Sequence, residues 1–535
     1  MWFLVKKAYR EIVEILLKNP PKSNKGLAKI KRDICKKYSL DSFPRNSDIL
    51  QMATKDEREL VLPFLVKKPS RTLSGVAVVA VMSKPLPCPH GKCTMCPGGP
   101  EQDSPQSYTG FEPAAMRGQM YNYDPKEQVI ARLQQLEAIG HNTSKIDLIL
   151  MGGTLPAAPL DYQEFFIKGC LDGVTKKNTK SITEAIKAAE KSKRRCIGIT
   201  VETRPDTCSL ENLKRELDWG ITRVELGVQV VNDKVYERIN RGHTVEDVTI
   251  AFKRLRDLGL KVTAHMMVGL PGISWEEELA SYKTLMTDSR FVPDELKIYP
   301  LMLMENTKLF DEHMAGDYQP LTFKETVKRV AEFKAHTLPS MRIKRVLRDI
   351  PATKIFAGPK KSDLREYAQK FLGESGRTCR CIRCREVGHK QRKGIFPSEK
   401  DIELVRREYN ASGGKEIFLS FEDTSQDIIL GFLRLRHPSE DKIISLVNNK
   451  PFSIIREVHI YGSVVGIGTQ AERKIDWQHK GFGTKLINEA TKISRDEAGS
   501  ELLLVTSGIG VREYYAKRGF KRLMPYMAKP LTRNA

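Results

Sequence analysis

Five short apolar runs recur between residues 145 and 302, and helix-periodic stretches separate them. They are "KIDLILMGGT" (145–154), "RRCIGITVETRPD" (194–206), "ITRVELGVQV" (221–230), "KVTAHMMVGLPG" (261–272) and "DELKIYPLM" (294–302). Helical spacing fills the gaps, as in "DVTIAFKRLRDLGL" (247–260). Parallel strands need a long crossover between them, so this alternation predicts an α/β fold built on a parallel sheet. Ligands of such sheets sit at the carboxyl ends of the strands. The runs close there in glycine, acid or amide: Gly152 and Gly153, Glu202, Gln229. Burial explains the apolar runs but not these endings. "NRGHTVED" (240–247) opens a helix, with Thr244 as N-cap and Asp247 three residues on.

Upstream of the first run, "CPHGKCTMCPGGP" (88–100) places Cys88, Cys93 and Cys96 at C-x4-C-x2-C spacing. Structural zinc wants four ligands, usually in two separated pairs. His90 is too close to Cys88 to be a good fourth. A cubane iron–sulfur cluster held by three thiolates leaves one iron open. Radical S-adenosylmethionine (SAM) enzymes need that arrangement, but their usual spacing is one residue shorter. By spacing alone, the triplet stands between a cluster, zinc and a redox site. The Gly-Gly turn at 152–153 suits close approach of the methionyl amine of SAM, and Glu202 and Gln229 suit ribose hydroxyls.

A second triplet, "CRCIRC", sets Cys379, Cys381 and Cys384 at C-x-C-x2-C. Three thiolates this close suit zinc, with His389 as a candidate fourth ligand. The remaining cysteines are scattered and read as buried or incidental thiols. Short spacings favour metal ligation over disulfides, as expected in a reducing compartment.

The last third changes character. "EIFLSFED" and "IILGFLRLRHP" read as a strand pair and "SIIREVHIYGSVV" as a further strand, with a bulge-like Val464-Val465-Gly466. Gln478–Gly483 then forms a Q-x-x-G-x-G loop before a helix, followed by "ELLLVTS" and "VREYYAKRGF". Backbone N–H groups in such a loop point at a diphosphate. The order is that of the acyl-coenzyme A site of GNAT-type acetyltransferases. It makes Gln478, Lys480, Gly481, Phe482, Gly483 and Tyr514 the expected acetyl-CoA contacts. Tyr514 and Tyr515 are both candidates near the thioester, and at least one of these two neighbours faces inward.

Charge supplies a partner. The chain has 535 residues and a formal net charge of +23, and residues 1–80 hold roughly +9 and residues 341–400 roughly +11 of it. Two such segments favour a nucleic acid. No apolar run approaches the ~18–20 residues of a membrane span, and the amphipathic start is interrupted early by lysines. The expectation is a cytoplasmic protein with no membrane association.

Taken together, "CPHGKCTMCPGGP…QSYTGFEPAAMRG", "MGGT", "ETRPD", "RVELGVQ", "NRGHT", "CRCIRCREVG" and "QHKGFG…SGIGVREYYAKRGF" resemble the catalytic subunits of Elongator, the elongator complex protein 3 family, in their archaeal-type form. The resemblance covers nearly the whole chain. It implies a basic helical N-terminal transfer-RNA-binding segment (1–75), a radical SAM partial (β/α) barrel (76–345), a basic zinc-binding linker (346–400) and an α+β GNAT domain (401–535). It further implies a 4Fe–4S cluster on Cys88, Cys93 and Cys96, with SAM, acetyl-CoA and zinc. The implied reaction adds a carboxymethyl group at C5 of the wobble uridine of tRNA. A radical derived from SAM takes hydrogen from the acetyl methyl group, and thioester hydrolysis follows addition to C5. Lys297, at a strand end, becomes a candidate contact to SAM or substrate. The implied partners are tRNA, an electron donor, and a second copy or Elongator-type subunits. The alternative is a protein lysine acetyltransferase, which would leave the first half of the chain without a task.

Overall fold

The protein is described by a computed structural model covering residues 2–21, 23–66, 72–439, 450–462, 477 and 480–531. Gln478 and the 464–466 stretch lie outside the described residues. Four helices come first: α1 (Trp2–Lys18), α2 (Asn24–Tyr38), α3 (Asn46–Gln51) and α4 (Lys55–Leu65). Ala8, Ile12 and Leu16 of α1 recur at helical spacing and form a small core with Ile34, Ile49 and Val61.

Seven parallel strands follow in sequence order: β1 (Ala77–Met82), β2 (Lys145–Met151), β3 (Arg195–Thr203), β4 (Arg223–Gln229), β5 (Lys261–Val268), β6 (Glu295–Pro300) and β7 (Arg342–Val346). β1 and β7 are the edges, so the sheet is a half-barrel with an open seam. The five expected runs are β2 to β6. β1 and β7, the two strands that bound the seam, lie outside those runs. Along each strand alternate residues divide the work. Ile146, Leu148 and Leu150, or Val224, Leu226 and Val228, join the apolar core. Their neighbours Asp147 and Ile149, or Glu225, Gly227 and Gln229, line a cavity inside the half-barrel.

The second sheet has order β13-β14-β12-β11-β10-β9-β8. Its strands are β8 (Ile402–Ala411), β9 (Gly414–Asp423), β10 (Ile428–His437), β11 (Phe452–Ile460), β12 (Leu502–Val505), β13 (Lys521–Leu523) and β14 (Tyr526–Pro530). Among the described residues of this sheet only β11 and β12 run parallel. The whole is an open half-barrel of parallel strands plus a second, mixed sheet.

Buried ion pairs join the two sheets. Asp294, at the start of β6, receives Arg456 of β11 at 2.6 and 2.8 Å. Arg456 also donates to Glu416 at 2.8 Å and to the Leu260 carbonyl at 3.0 Å. Arg436 reaches Asp257 at 2.5 Å and Arg256 reaches Glu416 at 2.9 Å. These groups are all but excluded from solvent. Burial opposes charge on Asp294, but Arg456, Arg256 and Arg434 outweigh it and hold the carboxyl well below its ordinary range. An unpaired charge here would be costly, so the two units are held in a fixed relation. Among the described residues no helix is long and apolar enough to cross a membrane.

Candidate active site

The cavity has a volume of about 1000 Å³ and runs along the half-barrel interior. Cys88, Cys93 and Cys96 line it, on the loop after β1. That loop is held from several sides. Gln106 accepts from the Cys88 N–H at 2.8 Å and donates to the Gly91 carbonyl at 2.9 Å. The Thr94 N–H donates to the Ile239 carbonyl and Asn240 to the Lys92 carbonyl. Arg204 of "ETRPD" donates to the carbonyls of Arg241 and Gly242, in "NRGHT", at 2.9 and 2.7 Å. Arg241 in turn approaches the Cys93 sulfur at 3.6 Å. Both motifs therefore brace the cysteine loop. Thr244 and Asp247 form the expected capping box.

The donor chemistry fits a cluster better than one metal ion. Tetrahedral zinc with ~2.3 Å bonds brings its sulfurs within ~4 Å of one another. Among the described residues two sets of three His, Cys, Asp or Glu donors lie mutually within 4.8 Å, and Cys88, Cys93 and Cys96 are not one of them. The Ser107 N–H donates to the Cys96 sulfur at 3.1 Å. With Arg241 beside Cys93, that suits an anionic iron–sulfur group. Burial raises the thiol pKa of Cys88 and of Cys96, and an iron–sulfur group held there would keep both as thiolates.

Deeper in, the lumen is ionic. Lys297 is buried rather than a surface lysine, pairs closely with Glu225, and lies 3.3 Å from Glu202. Tyr108 donates to Glu202 at 2.5 Å. Glu225 also takes His265 at 3.0 Å and Lys344 at 3.2 Å. Burial alone would raise the Glu225 carboxyl, but Lys297, Lys344 and His265 hold it well below the usual range. Burial opposes charge on Lys297 too, and Glu225, Tyr299 and Glu202 outweigh it, raising its pKa. His265 is pushed down by burial and by Lys297. Gln229 ends β4 at φ 68°, in the left-handed region, and lines the cavity. Gly153, at φ 90°, lines it as well. Gly152 does not: a Cβ there would meet Ser83 Oγ at 2.0 Å, so this glycine serves packing against the end of β1.

In the second sheet, β11 and β12 pair only from Phe452–Leu502 to Ile455–Val505. Beyond Ile455, β11 continues to Ile460 beside β10 alone, because β12 ends at Val505. Gly481, at φ 85°, starts the helix Phe482–Asp496 without a side-chain cap, and a Cβ there would meet open space. The Tyr514 hydroxyl lies 2.9 Å from where a Gly483 Cβ would stand, and Arg518 covers the Tyr514 ring. Tyr515 is buried in the second core and is the inward-facing neighbour. Phe482 packs on Phe421. Lys480 pairs with Glu399 at 3.1 Å and lies over Trp477.

Cys379, Cys381 and Cys384 form the compact set of thiols within 4.8 Å that one tetrahedral ion needs. His389 is not in that set; its Nε2 faces Glu386 at 4.0 Å, because the short helix Val387–Gln391 turns it away.

Comparison with known proteins decides the family. The chain is 46% identical to tRNA uridine(34) acetyltransferase of Methanocaldococcus infernus over 98% of this chain and 99% of the relative. The chain belongs to the elongator complex protein 3 family. Elongator complex protein 3 of Homo sapiens is 42% identical over 94% of this chain and 93% of its own length. Family profiles described as ELP3 N-terminal domain, Radical SAM superfamily and Radical_SAM C-terminal domain match residues 5–73, 87–285 and 293–372. A solved structure of archaeal Methanocaldococcus infernus Elp3, lacking residues 1–46, superposes with TM-score 0.75 at 42% identity. It covers 86% of this chain and all of that one. Membership of the radical SAM superfamily implies a 4Fe–4S cluster and SAM.

The sequence reading placed Arg204 at a strand end beside Glu202 but missed Tyr108, Glu225, Arg241, His265 and Lys344. A signal was present for Glu225 and His265: polar residues at every second position of otherwise apolar strands.

Proposed function

We propose that this chain modifies uridine 34 of tRNA, using SAM-derived radical chemistry and acetyl-CoA to build a carboxymethyl group at C5. The observation that carries the reading is the fixed union of two sites in one chain. A thiol-lined ionic cavity is locked by buried ion pairs to a sheet in which β11 outruns β12, beside an uncapped helix N-terminus.

Cys88, Cys93 and Cys96 hold the cluster. When bound, cluster and SAM supply a carbon radical able to take a hydrogen atom from the acetyl methyl group. Gly153 lets the methionyl end of SAM approach the backbone, and Gln229 and Glu202 bind ribose hydroxyls. Lys297, fixed by Glu225, presents a permanent positive charge to SAM or substrate. The gap between β11 and β12 takes pantetheine, and the N–H groups from Gly481 to Gly483 take the diphosphate. Phe482 and Lys480 flank that loop. Tyr514 lies beside it and is the phenol for thioester chemistry. Residues 1–75 and the basic 346–400 stretch bind tRNA, as relatives named for tRNA uridine 34 suggest. Zinc on Cys379, Cys381 and Cys384 stiffens the joint, with a fourth ligand other than His389. An electron donor serves the cluster, and further subunits or a second copy complete the assembly.

Mass spectrometry of tRNA treated with reduced protein, SAM and acetyl-CoA tests this. The account expects 5-carboxymethyluridine at position 34. Acetylated protein lysine with unmodified tRNA would instead favour a lysine acetyltransferase.

A further inference from the structure

Two cation–ring pairs tie the loop after β1 to the segment after β7, across the open seam of the half-barrel. In the inner pair the half-buried Arg348 lies 5.2 Å from the ring centroid of the buried Tyr108, and both line the cavity. The outer pair is Lys354 over Phe111, at 3.9 Å. Phe111 is 45% exposed, one residue before Glu112 and Pro113, which line the cavity. The helix α5 (Pro113–Met120) continues this rim, with Met116 at 51% and Met120 at 72% exposure. Among the described residues no carboxylate pairs with Lys354. An aromatic face, two flexible thioethers and an available ammonium thus crowd the mouth of an ionic pocket. Apolar side chains gathered at the rim of a cavity are a feature of binding sites.

We propose that Phe111 is a stacking platform for the base adjoining the one that enters the cavity, in single-stranded RNA, with Lys354 meeting the phosphate between them. The proposal rests on the reading that the substrate is RNA. A base taken out of its stack leaves a neighbour with one bare π-face. Proteins that hold single strands offer an aromatic face and a cation to such neighbours. Lys354 supplies the rim's charge toward phosphate, since Arg348 is already held by Glu112 at 3.5 Å. The placement fits too: Glu112 and Pro113 line the cavity, and Phe111 stands just outside it.

The test uses the full chain and an anticodon stem–loop RNA with 2-aminopurine beside the target uridine, whose emission falls on stacking. Wild type should bind and quench. Phe111→Ala should weaken binding by about 5- to 150-fold and restore the emission, with the salt slope unchanged. Phe111→Trp should keep both affinity and quenching. Lys354→Ala should lower the slope of log K against log salt by about one. Equal affinity and quenching in Phe111→Ala would overturn the platform while leaving RNA as substrate. Failure of the wild type to bind this RNA would overturn the RNA reading and the platform with it.

Discussion

Arg456 is the most exposing place to perturb the joint between the sheets. It is fully buried and makes its contacts with Asp294, Glu416 and the Leu260 carbonyl. Arg456→Met keeps much of the volume and removes every donor. Asp294 would keep only Arg434 at 3.6 Å and Arg256 at 3.8 Å, both long, plus the Val262 N–H. Glu416 would still hold Arg256 and Arg436 at 2.9 and 3.1 Å. The loss therefore falls mainly on Asp294 and the orphaned Leu260 carbonyl, and breaking such a buried pair costs about 3–5 kcal/mol. Urea unfolding followed by tryptophan emission reads both sides, because Trp219 and Trp275 belong to the barrel and Trp477 to the second sheet. With an m-value of a few kcal/mol/M, the midpoint should fall by roughly 1 M. Wild type should show one transition, since neither unit is satisfied alone. The pH dependence has a definite sign. Asp294 and Glu416 are held below their unfolded pKa values, so they stabilise the protein above about pH 4 and this is lost as pH falls through their folded values. In the variant these carboxyls are less depressed, so its deficit is largest near neutral pH and narrows in acid. Adding Asp294→Asn should cost less than the sum of the single changes. A loss below about 1 kcal/mol, or two separate wild-type transitions, would refute the locked joint.

The two cysteine sets should separate by metal. Anaerobically reconstituted protein should hold about four irons, and alanine at Cys88, Cys93 or Cys96 should abolish SAM cleavage while zinc remains; SAM cleavage by the triple variant would sink the assignment. Serine at Cys379, Cys381 or Cys384 should remove about one zinc and leave iron in place, whereas His389→Ala should keep the zinc, as elemental analysis would record. Gly483→Ala should weaken CoA binding by calorimetry, because its methyl would displace the Tyr514 hydroxyl, without altering SAM cleavage; unchanged CoA affinity would remove Tyr514 from that site.

The parallel half of the fold was legible because five buried strands alternate with helices at regular intervals. β7 was not, since "RIKRV" carries three cations within five residues and its burial depends on Glu225, Glu295 and Glu386 elsewhere in the chain. β8 failed for a related reason: as an edge strand it is largely exposed and highly charged. Strand ends pointed correctly to the cavity through Gly153, Glu202 and Gln229. Arg204 stood out as a strand-end residue, but its bracing role and that of Arg241 did not, because holding a cysteine loop is a tertiary relation without a sequence period. His389 misled because five residues in sequence suggested proximity that the helix Val387–Gln391 turns away.

The central claim is that the acetyl methyl group reaches the radical site while both sheets stay locked together. Trideuteroacetyl-CoA, incubated with cluster-loaded protein, reductant, SAM and tRNA, tests it directly. The account predicts deuterium in 5′-deoxyadenosine. Deoxyadenosine formed without deuterium, by protein that is active and bound to tRNA, would contradict it.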